Sequence, residues 1–437
     1  MPNLYDLAYA AGLALASPYW LVRRSARQKV MLALRERMGR SLPPSSGGEC
    51  ILLHSVSVGE VNVLPALLAE LRNRTPGLRF VISTTTQTGG DRARQLFSQQ
   101  PDVTLIKFPL DFTSAVCRVL EKYQPRLVGL MELEVWPNFM KQCHRRGIPV
   151  MVANGRITPA SFRKYRRASW FTRPMFARLA LAAVQDETYA AMFRTLGTPQ
   201  EKIHVTGTMK FDSATIADRI AGDEHLAAEL ALDPANEPIW VCGSTGPGEE
   251  SIALDTYRQL KQSHPRLRLV IVPRHPQRFD EVAGLIESHG FQCIRRSNTA
   301  RAPSDSQHAI VLGDTMGELR KFYSLATVVF VGRSLVDLGD RQHGSDMIEP
   351  AALGKPVIVG PFTKNFDMPM RLLKKNTAVY EILSAPELTA AVDRLLTHAD
   401  QRTAIAGRAV ETVREAKGAS TRHAEMIAGL ISGKISR

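Results

Sequence analysis

Cysteine is scarce and scattered. Cys50, Cys117, Cys143, Cys242 and Cys293 are the only five in 437 residues, and no two form a CxxC pair. Several lie inside apolar runs, the pattern of buried thiols in a reducing compartment rather than of a disulfide frame or a zinc site. The eleven histidines show no HExxH or related spacing, so no structural metal is expected. No GxGxxG follows the first strand pattern, and no P-loop run occurs. A dinucleotide fingerprint and a Walker ATPase are therefore unsupported. Aromatics make up only 7% and no nucleic-acid motif is present, which argues against a nucleic-acid partner. Acidic residues are also in deficit: 42 against 56 Lys and Arg, a net charge of +14. With nucleic acid set aside, an anionic membrane surface or a phosphorylated substrate is the partner such a charge fits.

What is present is a repeated alternation. After the linker-like RSLPPSSGGE (40–49), apolar runs at 51–56, 79–85, 103–108, 127–131, 149–153, 181–185 and 203–206 are mostly separated by helical patterns. This is the rhythm of a parallel sheet covered on both faces. Residues 213–238 are polar and helical and predict an interdomain connection. The rhythm restarts at IWVCGS (239–244) and continues through LRLVIVP, FQCIR, AIVLG, TVVFVG, PVIVG and TAVYEI. The expected fold is α/β: a first Rossmann-like domain over 40–212, a linker over 213–238, and a second Rossmann-like domain over 239–437, with a cleft between them. Ahead of them, 1–30 form an N-terminal membrane-associated segment. Residues 4–22 are apolar apart from Asp6 and a few small polar groups, and Arg23, Arg24, Arg27 and Lys29 follow. A run of about 18 apolar residues suits a spanning helix, but Asp6 and Pro18 weaken that reading. A helix lying in the interface, or one packed on the first sheet, competes with it.

Candidate chemistry collects at strand ends. Glu60 closes ILLHSVSVGE, a strand, a turn at Gly59 and the start of an amphipathic helix. There it reads first as a first-turn capping acid, and second as a general base kept ionised by the helix N-terminus. Glu132 and Glu134 follow LVGLM. Asn154-Gly155-Arg156 and Lys210 end two further strands. In open α/β sheets such ends converge on one crevice. In the second half, Gly243-Ser244-Thr245-Gly246-Pro247-Gly248-Glu249 suits a phosphate loop or an ordinary strand–helix turn. Pro273-Arg274-His275, Met316-Gly317-Glu318, Asp346-Met347-Ile348-Glu349 and Asn365 end later strands or their loops.

Taken together, HSVSVGE, MELEVWPN, NGR, TGTMKFD, GSTGPGEE, VPRHPQR, MGEL and IEPAALGKPVIVGPFTKNF resemble the 3-deoxy-D-manno-octulosonic acid (Kdo) transferases of lipid A biosynthesis. The match runs in order from the N-terminal apolar segment to about residue 380. The resemblance implies the two-Rossmann-domain B type of glycosyltransferase fold, and transfer of Kdo from CMP-Kdo to a lipid A precursor. It assigns Glu60 as proton acceptor, and Glu132 and Lys210 as stabilisers of the transition state. Ser244, Pro273, Arg274, His275, Met316 to Glu318, Asp346 to Glu349 and Asn365 become the CMP-binding set. Family members usually carry a Gly-Gly-His-Asn-like run before the last Glu. This chain has His343-Gly344-Ser345-Asp346 there, and Gly246 stands where a His is often found.

No cofactor is implied. The lack of a DxD-type metal motif agrees with a donor bearing a single phosphate, whose charge helix N-termini, Arg274 and Lys210 can meet. A lone base supports inverting displacement, while Glu132 keeps a retaining route open. The expected location is the cytoplasmic side of the inner membrane. There the apolar segment and the run Arg163-Lys164-Tyr165-Arg166-Arg167, with Trp170 and Phe171, meet anionic lipid; a solvated helix face is the other reading of that run. A two-domain UDP-sugar transferase and an inactive sugar-nucleotide binder are the alternatives.

Overall fold

The computed structural model describes residues 5–7, 9–11, 33–45, 47–298, 308–339 and 343–434. They form two compact units. One runs to Ser213 and takes in residues from Lys417 onward; the other is Ala214–Ala416.

The first unit is built on seven parallel strands: β1 (Cys50–Ser55), β2 (Arg79–Thr84), β3 (Val103–Lys107), β4 (Leu127–Met131), β5 (Val150–Gly155), β6 (Leu181–Val184) and β7 (Ile203–Val205). Their order is β3-β2-β1-β4-β5-β6-β7. Alternate side chains enter opposite cores, as the two-residue period of a strand requires. Leu52, Val81, Val128, Leu130 and Val152 pack on one face. Ile51, Leu53, Phe80, Ile82 and Met151 pack on the other, with Leu64, Leu67 and Leu71 of the helix Val58–Arg74. Burial on both faces is why these strands read as unbroken apolar runs.

The second unit repeats the plan with β8 (Ile239–Thr245), β9 (Arg268–Pro273), β10 (Cys293–Arg295), β11 (Ile310–Leu312), β12 (Val328–Val331), β13 (Val357–Val359) and β14 (Tyr380–Glu381). All are parallel, in the order β10-β11-β9-β8-β12-β13-β14. Its core includes Trp240, Leu254, Ile271, Phe330 and Ile358.

Two expected boundaries move. The stretch 213–238 is not a free connection. It carries the helix Asp223–Glu229, and buried Asp223 pairs with Arg219 at 2.7 Å and accepts the Ser324 hydroxyl within the second unit. At the other end, the helix Ala419–Ser432 belongs to the first unit, so the second ends at Ala416 rather than at 437. Its Ala424, Ile427 and Leu430 join the core face shared with Val58–Arg74. Burying two such aliphatic side chains is worth about 3–6 kcal/mol. Asp212 receives the helix, accepting from Gly418 N at 2.6 Å and from Ser420 N.

Most of the apolar segment 4–22, and the basic residues from Arg23 to Lys29, lie outside the described residues. The parts that are described touch the first unit. Asp6 Oδ1 accepts from Thr113 N at 2.7 Å and Asn138 Nδ2 at 3.3 Å. Tyr9 donates to Asp111 Oδ2 at 3.2 Å, and Tyr5 packs edge-on to Phe171. Trp170, 84% exposed, leans on the same Phe171. The neighbouring helix Pro159–Arg167 has no buried residue, and Arg163, Lys164, Arg166 and Arg167 are all exposed. Among the described residues no helix is long and apolar enough to cross a membrane.

Candidate active site and donor site

In the first sheet β1 lies between β2 and β4. The chain therefore leaves β1 and β4 to build in opposite directions, and their following loops flank a topological switch point, where such folds bind ligands. Glu60 and Glu132 lie on those two loops. Glu60 is 7% exposed. Its Oε2 accepts from Val56 N at 2.7 Å and its Oε1 from Ser57 Oγ at 2.9 Å. The carboxyl group thus reaches back to the chain just ahead of the helix, and these two bonds hold its position.

Its charge state differs from the expectation. Burial, then the neighbouring carboxylates Glu132 and Glu134, push Glu60 up to about 8, against the lowering effect of Val56 N and Ser57 Oγ. Desolvation outweighs the helix terminus.

Glu132 and Asn154 both have a φ of +55°. A left-handed conformation costs a non-glycine residue on the order of 1 kcal/mol, so surrounding bonds must hold it. Glu132 N donates to Ala153 O, and Arg156 N to Glu132 O. Arg156 Nη1 lies 3.9 Å from Glu132 Oε1. Asn154 N donates to Nε2 of buried His423, on the returning C-terminal helix, at 2.8 Å. That leaves Nδ1–H of His423 for Ala419 O at 2.7 Å. Asn154 Oδ1 accepts from Met209 N at 3.1 Å, which fixes the loop presenting Lys210. Glu60 and Glu132 are thus brought together, with Lys210 tied to the same framework through Met209. Glu134 bonds Trp136 Nε1 at 2.9 Å.

Sequence reasoning left His54 and Arg37 without a role. His54 is fully buried and stacks on Phe108 at 3.7 Å between ring centres. Burial above all, helped by the Arg37 charge and opposed by the Ser83 carbonyl, drives its imidazole down to about 3, so it stays neutral. Arg37 Nε donates to Phe108 O at 3.1 Å, and its charge is felt at Glu134. Only the polarity of His54 inside the run ILLHS could have marked it, while Arg37 stands in the charged run RERMGR and shows no such signal.

In the second sheet β8 lies between β9 and β12, giving a second switch point. Ser244 sits at a bulge in the β8–β9 register with a φ of +56°, and bulges commonly re-aim side chains beside binding sites. One amide of the following turn, that of Gly246, is already taken. Buried Glu249 fills it, accepting from Gly246 N at 2.9 Å and Arg333 N at 2.6 Å on Oε2. Its Oε1 accepts from Ser334 N at 2.8 Å and Leu335 N at 2.9 Å. Four main-chain bonds to one carboxylate clamp the β12 loop to the β8 loop.

Pro273 is buried at the end of β9, while Arg274 and His275 are exposed beyond it. Met316 is 67% exposed. The Glu318 carboxylate is held by Arg296 at 2.9 Å and Thr315 Oγ1 at 2.6 Å. Met347 and Ile348 are fully buried, so the main chain is what they and Glu318 can offer a ligand. Asp346 Oδ1 caps Ile348 N at 2.8 Å. Burial and the Asp346 charge raise Glu349 to about 7, with Arg320 opposing. Asn365 N donates to His343 O at 3.4 Å, and Ser345 Oγ to Ser244 O at 3.4 Å. The altered 343–346 run is therefore built into this site. Among the described residues no three His, Cys, Asp or Glu side chains cluster as metal ligands.

Two doubly wound parallel units, each with polar residues at its switch point, make up the two-Rossmann-domain fold of the B-type glycosyltransferases. A UDP-GlcNAc 2-epimerase from Neisseria meningitidis, bound to UDP-GlcNAc, shares this fold with a TM-score of 0.59. It is 14% identical, over 88% of this chain and 100% of that one. The family model for 3-deoxy-D-manno-octulosonic-acid transferase (kdotransferase) matches residues 33–213. A 3-deoxy-D-manno-octulosonic acid transferase from Haemophilus influenzae is 35% identical over 409 residues, 92% of each chain. One from Bordetella pertussis is 32% identical over 90% of each. The chain belongs to the Kdo transferase family, and its activity is Kdo transfer in lipopolysaccharide assembly.

Proposed function

We propose that the donor is CMP-Kdo, the acceptor a lipid A precursor, and the reaction an inverting displacement with Glu60 as the base. The observation that carries this is the Glu60 carboxyl group itself: buried, locked by Val56 N and Ser57 Oγ, and raised to about 8. In its ionised form it takes the proton of an acceptor hydroxyl. The acceptor oxygen then bonds to the anomeric carbon of Kdo as the bond from that carbon to the phosphate oxygen breaks. CMP departs with the bonding pair. Glu132 and Lys210 act on charge that develops in this step, and Arg274 meets the phosphate. The relatives' shared name, 3-deoxy-D-manno-octulosonic acid transferase, supports the choice of sugar.

The acceptor is met at the cytoplasmic face of the inner membrane. The exposed Arg163, Lys164, Arg166 and Arg167, the exposed Trp170, and Tyr5 of the apolar segment packed on Phe171 support that location. Clustered cations beside aromatic side chains suit an anionic headgroup layer. A donor screen tests the reading. CMP-Kdo should support transfer with release of CMP, and UDP-sugars should not. Transfer from a UDP-sugar alone would overturn it.

A further inference from the structure

Arg333 leaves β12 at the second unit's switch point with a φ of +57°. That conformation is strained for an arginine and open to a glycine. Its main chain is pinned on both sides: its amide donates to Glu249 Oε2, and its carbonyl accepts Gly344 N at 2.6 Å. The resulting turn carries its side chain across the β8 loop, where Cγ lies 3.1 Å from the place a Cβ on Gly246 would occupy.

Among the described residues the guanidinium forms no ion pair of its own. Its Nε is buried with no hydrogen-bond partner. The charges acting on it are a second cation, Arg274, and Glu249, whose two oxygens already serve four main-chain amides. His275 feels the same assembly: burial first, then Arg274, Arg333 and Arg278 hold its imidazole below the usual range. Arg278 is already neutralised by Glu250 and Glu281. Two arginines sharing a partly dehydrated corner are unfavourable by themselves. They become favourable once an anion with several oxygens lies between them, and the planar fork of arginine matches a phosphate in two bonds.

We propose that Arg333 is a donor-binding residue, gripping with Arg274 the phosphate of a nucleoside monophosphate. This deepens the reading of the second unit as the donor site and rests on it. The left-handed backbone supplies a clean test, because glycine takes that conformation without cost and Arg333→Gly keeps the fold. Calorimetry with CMP, and with cytidine as the phosphate-free probe, isolates the phosphate. The wild type should prefer CMP, and Arg333→Gly should lose about 10–100-fold in CMP affinity with cytidine unchanged. Arg333→Lys, which keeps the charge without the fork, should fall between them. If the wild type binds CMP and Arg333→Gly binds it equally well, the inference is overturned alone. Equal losses for CMP and cytidine would make Arg333 a structural residue and overturn it too. A wild type that binds UDP but not CMP overturns the donor reading, and this inference with it.

Discussion

Glu60 carries a prediction that can be read in two independent ways. With its carboxyl group near 8, about one molecule in eleven holds the base form at pH 7 and about ten in eleven at pH 9. Under saturating substrates kcat should therefore rise about tenfold over that interval along a single ionisation limb. Glu132→Gln removes the neighbouring charge that contributes most after burial, so whatever rate remains should have its limb displaced to lower pH. Stability follows the same group. The folded state raises it from 4.5 to about 8, so the folded chain holds a proton that the unfolded chain has released. That contribution is fully present below pH 4.5 and is lost as pH rises through 8. Glu60→Gln should gain Tm relative to wild type as pH goes from 5 to 9, while losing at least about 100-fold in turnover. A kcat profile flat from pH 7 to 9, together with a Tm difference that ignores pH, would refute the reasoning.

Further outcomes can be checked directly. Arg274→Ala should weaken CMP binding by about 1.5–3 kcal/mol, measured by calorimetry, since it removes one charge-assisted contact. Glu249→Ala releases four main-chain amides at once. It should lower Tm by several degrees and abolish CMP binding, whereas intact binding would separate the clamp from the site. Replacing Arg163, Lys164, Arg166 and Arg167 with Gln in the full chain should remove its preference for anionic over neutral vesicles in flotation at low salt. Each such cation is worth about 1 kcal/mol near an anionic surface, and an unchanged preference would make the run a solvated helix face.

The strand rhythm was legible because each strand is buried on both faces, so its apolar run is continuous and its ends fall at loops. Cys50–Ser55 and Ile239–Thr245 show it plainly. Site residues at those ends, such as Glu60, Glu132 and Arg274, followed from topology and from the resemblance. What escaped was set by distant parts of the chain. Residues 239–437 read as one second domain, yet Asp212 and His423 draw the last helix back to the first unit. Asp223 looked like part of a polar linker until Arg219 and Ser324 surrounded it. Glu249 looked like the rim of a phosphate loop, but three of the amides that donate to it lie some 85 residues onward, at 333–335. Arg333 shows no motif; only its left-handed backbone and its unpaired Nε single it out. The Glu60 ionisation was misjudged for a related reason. The helix terminus is visible in sequence, but the desolvation and the two nearby carboxylates are not.

The central claim is that Glu60 activates a lipid A precursor hydroxyl toward the Kdo of CMP-Kdo. Mass spectrometry of products from a defined lipid A precursor and CMP-Kdo, with wild type and Glu60→Gln side by side, tests it most directly. The account predicts precursor enlarged by Kdo and matching release of CMP from the wild type, with almost none from the variant despite intact CMP binding. Equal product from both proteins, or product only when a UDP-sugar replaces CMP-Kdo, would contradict it.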